Sequence, residues 1–519
     1  MKEPVKDWER QLASRPPMKN GFTSDLERRV RERIRMKSTQ RKSPFRAVAA
    51  IMSVVILLGC GWWFRGDLKN LLGQDQPYEA IGALSNDTLG DKEVSLKVQI
   101  LQYGNFDRIK KPFIIRHPSV SIDTLNITMN EKQTPEEFEK WMDKNQPDVM
   151  MLPMNLFVKL SAEGKLKALD TLIAKEKFDL DAIHKPVVDA LRLAGGGELY
   201  GLTTEFDSSV LFINKDLFEA NHIPVPEDGT SLDEILKIAA RFQGTGTVGL
   251  TSYERSNKSL LASLIGESSG LQAISQIDGK WKATLQTKGW EKIWSQIAEG
   301  YKEGWINNSP PLDFSGKKVI YANEMFKTDL FASGKAAMML PGSFGTSYYA
   351  SMAEYEKSTK KAINWSTVAY RIDSSATNGS KYLNIPFVYA INARTTNPDA
   401  AWEFLRFTVG PQVAERDDSA ENFSAKQILS RPSAMKSVPE PKWRAFYKME
   451  IDPQQALTDM NRQSDSAYAN AYQQFNEIAG EQMKAVIAEK ATVEQALKEA
   501  QIQVDTLLQN TNSKGGDKQ

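Results

Sequence analysis

Residues 94–101 read VSLKVQIL and residues 147–152 read PDVMML. The first stretch alternates apolar and polar side chains, the two-residue period of a strand with one buried face. The second is a short apolar run opened by proline, which fits the first position of a buried strand. Between them, residues 136–144 place Phe138 and Trp141 on one side of a predicted helix. Helical spacing returns at 157–163 and 170–175. Strand, helix, strand, helix in succession predicts an α/β fold with a mostly parallel sheet.

The pattern recurs further along. Strands are predicted at 209–214, 247–251, 335–341 and 387–393, and a helix at 232–242 carries Ile235, Ile238, Ala239 and Phe242 at helical spacing. Asn397-Pro398-Asp399 reads as a helix opening, with proline in the first turn, where its missing N–H is tolerated. Residues 456–509 are expected to be almost entirely helical.

Composition sets outer bounds. The 519 residues are 41% hydrophobic and 25% charged, ordinary for a globular chain long enough to bury a core without metals or disulfides. The net charge of +1 is uneven: 14 Lys/Arg and 6 Asp/Glu precede Ala47, leaving the remainder at −7. The large part thus has no basic surplus to recruit nucleic acid. Cys60 is the single cysteine, and His117, His184 and His222 are scattered without metal-ligand spacing.

Residues 47–64 (AVAAIMSVVILLGCGWWF) carry no charge and lie between Arg46 and Arg65. Eighteen helical residues rise about 27 Å, close to the ~30 Å hydrocarbon core of a bilayer. Trp62, Trp63 and Phe64 fit an interfacial belt, and the basic side is expected to stay cytoplasmic. The expectation is a transmembrane signal anchor at 46–64 behind a basic tail, 1–45, with the bulk on the extracellular face of the cell membrane. Leu57-Leu58-Gly59-Cys60 also resembles a lipobox, which would make Cys60 a lipidation site and the protein a lipoprotein. In the tail, Ser24-Asp25-Leu26-Glu27 fits a capping box, and Leu26, Val30 and Ile34 share a helical face. That helix either docks on lipid or a partner, or serves as a positive-inside topology signal.

Five motifs in fixed order carry a family resemblance. They are QPDV at 146–149 with LSAEGKLKALD at 160–170, GELYG at 197–201 leading to FINKDLF at 212–218, FASGKAAM at 331–338 with GSF at 342–344, NPDAAWEF at 397–404, and KATVEQAL at 490–497. Together they resemble the bacterial extracellular solute-binding proteins of the maltose-binding type, the substrate-binding subunits of ABC importers. The resemblance covers most of residues 94–510. It departs from the family pattern at Leu232 and Phe344, where tryptophan is usual, and at Thr203 or Thr204, where proline is usual.

The resemblance implies a two-lobed, periplasmic-binding-protein-like (type II) fold with a hinge and an interlobe cleft. Its first lobe would span 94–204 plus 386–454 and its second 205–385 plus 455–510, with a spacer at 65–93 and a disordered tail at 511–519. It also implies capture of a small solute, a sugar or oligosaccharide, and delivery to ABC transporter permease subunits, without a cofactor. Ligand-binding positions implied are Tyr103, Asn105 and Asp107 after the first strand, Glu205 and Asp207 at the crossing, Phe344, and Tyr472 on a late helix. Each has a plainer reading: Tyr103 and Phe344 as wall packing, Glu205 and Asp207 as hinge acids, Tyr472 as helix packing. An anchored sensor, signalling through the basic tail, is the alternative function. Glu205 and Asp207 would suit glycoside hydrolysis as a pair, but no nucleophile motif, metal set or phosphate loop accompanies them, so no enzyme activity is expected.

Overall fold

The computed structural model describes residues 89–515 apart from 91, 102–105, 128–133, 253–256, 310–325, 327, 343–344, 360–362, 372–382, 420–427, 450–456 and 459–465. All of these belong to one compact unit, Asn86–Gln519. The expected anchor at 46–64, Cys60 and the basic tail lie outside the described residues. Among the described residues no helix is long and apolar enough to cross a membrane.

Strands are numbered in chain order. The first sheet runs β2 (Val120–Ile127), β1 (Val94–Leu101), β3 (Val149–Leu152), β15 (Val388–Ile391), β4 (Gly201–Leu202). β1 lies parallel to β2 over the full register from Val94↔Val120 to Leu101↔Ile127, and β1 and β3 are also parallel. β15 enters antiparallel between β3 and β4. The alternation of β1 holds only at its start. Its second half is buried on both faces, Gln99 included, because helices cover both sides of this sheet.

Local chemistry accounts for the helices. Thr134 and Glu137 form a reciprocal capping box at Pro135–Asn145, with Pro135 in the first turn and Phe138 and Met142 turned to the core. The motifs of the sequence meet in space. Asp148 of QPDV accepts from Lys97 N at 2.8 Å and from Thr395 Oγ1 at 2.5 Å, which ties β3 to the turn before the helix Pro398–Thr408. Asp170, ending LSAEGKLKALD, accepts from Leu199 N of GELYG at 3.0 Å. A side chain on Gly201 of the same motif would put Cβ 2.8 Å from Tyr389 O, so close pairing of β4 with β15 requires glycine.

The second sheet runs β12 (Trp365–Val368), β6 (Leu211–Asn214), β11 (Ala336–Leu340), β8 (Val248–Ser252). β8 and β11 are parallel, and β6 is antiparallel to both neighbours. Phe212 of FINKDLF is fully buried, stacked on Trp365 at 5.5 Å and edge-on to Tyr348 at 5.0 Å. A hairpin of β9 (Ile274–Ile277) and β10 (Lys280–Ala283) and a parallel pair of β7 (Thr230–Ser231) with β13 (Tyr370–Arg371) flank it. The late helices Ser466–Ile487 and Val493–Gly515 pack on each other and on this side, with Ala283 N donating to Asp505 Oδ1 at 2.8 Å.

Between the two sheets lies a third, β14 (Leu383–Asn384), β5 (Glu205–Ser208), β16 (Ile428–Leu429). The chain leaves the first sheet at Leu202 and enters β5 at Glu205. It returns from β14 at Asn384 to β15 at Val388.

Three boundaries differ from expectation. The strand expected at 209–214 begins only at Leu211, as β6, and an unforeseen strand, β5, precedes it, since Ser209 and Val210 carry the chain from the joining sheet into the second sheet. Residues 386–454 do not all stay with the first sheet. Phe446 packs on Tyr349 at 5.9 Å and Lys442 lies over the Trp365 ring at 4.5 Å, both on the second side. Residues 511–515 continue the last helix rather than opening a disordered tail.

Candidate functional site

The joining strand β5 reads EFDS. Its alternation turns Phe206 and Ser208, both buried, to one face and Glu205 and Asp207, both part-exposed, to the other. On the apolar face the Phe206 ring stacks on His184 at 5.1 Å and meets Tyr447 edge-on at 5.5 Å. Burial there lowers His184 to about 4.

The acidic face looks toward the carboxyl ends of both sheets, where α/β folds place their ligands. From the second side, the helix Gly345–Thr359 follows β11 and presents its first turn to Asp207. Thr346 donates to Asp207 Oδ1 through both N (2.9 Å) and Oγ1 (2.5 Å). A Cβ on Gly345 would lie 2.3 Å from Ser208 O, so this docking needs glycine. Burial raises the Asp207 carboxyl, and the bonds from Thr346 partly offset it.

From the first side, three groups interact electrostatically with Glu205. Arg108 stands in the first turn of the helix Asp107–Arg116, just past the end of β1, and pairs with Asp417 at 3.3 Å. Asp417 stands on the helix Pro411–Ser419 and is nearly inaccessible. Tyr389 of β15 pairs across to Met151 of β3 and Leu202 of β4. Burial pushes Glu205 up to about 7. Arg108 pulls it down, and Asp417 and Asp207 push it further up. Tyr389 is raised by burial first and then by the Glu205 charge. Neither the Glu205 carboxylate nor the Tyr389 hydroxyl has a hydrogen-bond partner among the described residues. Glu205 is part-exposed, so its carboxylate is open to solvent or to a ligand on the strand that joins the two sheets.

The expected site residues fare unevenly. Tyr103, Asn105, Phe344 and Cys60 lie outside the described residues. Asp107 faces solvent, paired with Lys111 at 2.9 Å, and its neighbour Arg108 faces the crevice instead. Tyr472 stacks on Tyr468 at 5.7 Å and donates to Glu267, with Tyr468 against Trp281 at 4.9 Å. That is the packing reading of Tyr472, in a ladder of part-buried rings. Glu205 stands in the crevice, and Asp207 is engaged as a helix cap.

Arg108, Asp417 and Tyr389 were missed in the sequence. A one-residue shift of helix phase would have found Arg108. Tyr389 lay inside a strand already predicted, and nothing local marks Asp417. Among the described residues no group of three His, Cys, Asp or Glu is placed to hold a metal. A cavity of about 460 Å³ lies away from the crevice, beside β12 and lined by Lys215, Asp228, Thr367 and Arg444. Its Asp228 is engaged by Lys448 and the Ala369 N–H, which makes it a structural tie.

Two α/β sheets joined by short crossing strands, with a part-exposed carboxylate at the crossing, define a two-lobed binding fold. Residues 126–448 match the bacterial extracellular solute-binding proteins, and the chain belongs to that family. The family and the structural neighbours are solute-binding proteins rather than enzymes. A mannitol-binding protein of Pseudomonas aeruginosa is 24% identical over 319 residues, 60% of this chain and 68% of that protein. Among solved structures, the sugar-binding protein MalE of Xanthomonas citri superposes with a TM-score of 0.53 at 15% identity, covering 82% of this chain and all of that one. A solute-binding protein of Agrobacterium vitis with bound D-mannitol gives 0.50 at 20% identity, covering 81% and 99%. An open sugar transporter chain of Rhizobium etli gives 0.52 at 16% identity, covering 79% and 99%. These likenesses are of fold.

Proposed function

We propose that this protein captures a small carbohydrate, a sugar or a polyol, in the crevice around Glu205 and hands it to an ABC importer. The single observation that carries the reading is Glu205, part-exposed on the strand that joins the two sheets and without a side-chain hydrogen-bond partner among the described residues. A carboxylate and a phenol suit hydroxyl-rich solutes, since one accepts and the other both donates and accepts. The mannitol-binding relative and the mannitol-bound structural neighbour support the same class. Closure about β5 and β14 would bring Asp207 and its helix toward Arg108 and Tyr389, shutting the ligand from water. The first lobe in this reading is 94–204 with 386–439, and the second is 205–385 with 440–515.

Tethering by residues 46–64, with the bulk outside the cell, belongs to the same proposal and rests on the uncharged run and its basic flank. Sensing through the +8 tail is the second reading. Deleting residues 1–40 while keeping export should leave uptake intact under the first and abolish signalling under the second.

The direct test is thermal melting against mannitol, sorbitol, maltose, dipeptides and polyamines. A ligand of the folded state raises the melting temperature with concentration, by about 2.7 kcal/mol of stability at a hundred times Kd. A shift with dipeptides and none with any carbohydrate would overturn the reading.

A further inference from the structure

Behind the crevice, the apolar face of β5 carries a cluster of rings drawn from both sides of the molecule. Phe206 stacks on His184 at 5.1 Å and meets Tyr447 at 5.5 Å, and the His184 and Tyr447 rings are edge-on at 5.2 Å. Trp443 extends the cluster, 5.5 Å from Tyr447. The Tyr447 hydroxyl donates to Leu429 O of β16 at 2.6 Å. Glu205 and Asp207 point to the opposite face of β5.

His184 and Tyr447 are anchored on different sides. His184 opens the helix Lys185–Ala194, and its backbone N–H donates to Ser430 O at 2.7 Å. Ser430 Oγ donates to Thr203 O at 2.7 Å, and Arg431 Nε donates to Val409 O at 2.7 Å. These bonds hold His184 and the end of β16 to the first side. Tyr447 stands on the short helix Arg444–Lys448, which is fixed to the second side. There Phe446 packs on Tyr349 at 5.9 Å, Lys448 pairs with Asp228 at 2.8 Å, and Lys442, just before the helix, pairs with Glu356 at 2.5 Å. Tyr447 thus reaches from the second side, across the joining sheet, to a ring and a strand end held by the first.

The joining strands lie between the two faces, so a rotation about them that narrows the acidic face widens the ring face. Packed rings and a buried hydrogen bond lose their contacts steeply with separation, and such a rotation works against them. We propose that Tyr447 and His184 form a latch behind the crevice that opposes closure and thereby sets the affinity for the captured solute. The inference rests on the acidic face of β5 being the capture face and is independent of the solute's chemistry. A solute held in the closed form binds with an apparent affinity scaled by the fraction of molecules closed. Removing one neutral hydrogen bond from the latch raises that fraction about fivefold.

The test is a distance measurement by double electron–electron resonance on the full chain without ligand. Cys60 is replaced by Ser, and spin labels are placed by Lys111→Cys on the helix Asp107–Arg116 and Glu354→Cys on the helix Gly345–Thr359, which flank the crevice. Tyr447→Phe is expected to enlarge the shorter-distance population about fivefold, and His184→Ala to shift it the same way. Tyr200→Phe makes the same chemical change within the first side, where the hydroxyl bonds Glu198 at 2.8 Å, and is expected to leave the distribution unchanged. Distributions identical in the native, Tyr447→Phe and His184→Ala proteins, or moved to longer distances, would overturn the latch. If His184→Ala fails to fold by its melting curve, Tyr447→Phe alone decides. Calorimetry with D-mannitol follows, and Tyr447→Phe is expected to bind it about fivefold tighter than the native protein does. A shift in distance with no mannitol binding to either protein leaves the latch standing and counts against the carbohydrate reading alone. Mannitol binding of equal strength in both proteins overturns the latch.

Discussion

Replacing Glu205 by Gln removes a charge while keeping the side chain's shape, which isolates the electrostatic cost of the crevice. In the folded protein the Glu205 carboxyl is held at about 7 against an ordinary 4.5, burial being the largest cause. The folded state therefore binds this proton more tightly than the unfolded chain does. Native stability is full below about 4.5 and falls as pH rises toward 7. That gap, at about 1.36 kcal/mol per pH unit, is worth roughly 3 kcal/mol above neutrality. Asp207 and Asp417 are also raised by burial and slope the same way. They remain in the variant, so their contribution largely cancels in the comparison. Urea unfolding of both proteins without ligand, from about pH 4.5 to about pH 8, reads the difference. The Gln variant is expected to gain on the native protein steadily, reaching about 3 kcal/mol at the alkaline end. Two stability profiles running parallel across the range would refute the reasoning, because they would mean that Glu205 ionises as freely folded as unfolded.

Asp207→Ala should lower stability by about 1–2 kcal/mol in urea unfolding, through loss of the cap on the helix Gly345–Thr359, while Asp207→Asn keeps most of it. Glu403 lies buried between His117 at 3.3 Å and Arg406. Burial raises its carboxyl, but the bonds from His117 and Arg406 outweigh it and hold the group below its ordinary value of 4.5. Its stabilisation is thus present above that value and lost as pH falls through the folded one. Glu403→Gln should cost about 3–5 kcal/mol at neutral pH and flatten the acid limb of a melting-temperature profile. Tyr389→Phe should leave the melting temperature nearly unchanged, since the hydroxyl has no hydrogen-bond partner among the described residues. It should weaken binding of the captured carbohydrate by about threefold to tenfold in calorimetry. Equal affinity would remove Tyr389 from the site.

Periodicity and motif order determined the class of fold, because both are local. An alternating run such as VSLKVQIL has few stable placements other than one face of a sheet, and a helix opened by Asn397-Pro398 is set by backbone sterics. The motifs QPDV and NPDAAWEF could be seen in the sequence. That Asp148 binds Thr395 could not, since the contact spans 247 positions. The crevice is legible only in part for the same reason. Glu205 could be named from its place before the FINKDLF strand, but its lack of a partner depends on what folds around it. Arg108, Asp417 and Tyr389 come from two helices and a returning strand. Asp107 and Arg108 differ only in helix phase, which put one in solvent and the other beside Asp417. The residues alone specified which groups can carry charge. Tertiary structure decided which of those charges would be buried, and which left unpaired, because desolvation and Coulomb energy depend on distances through space rather than along the chain.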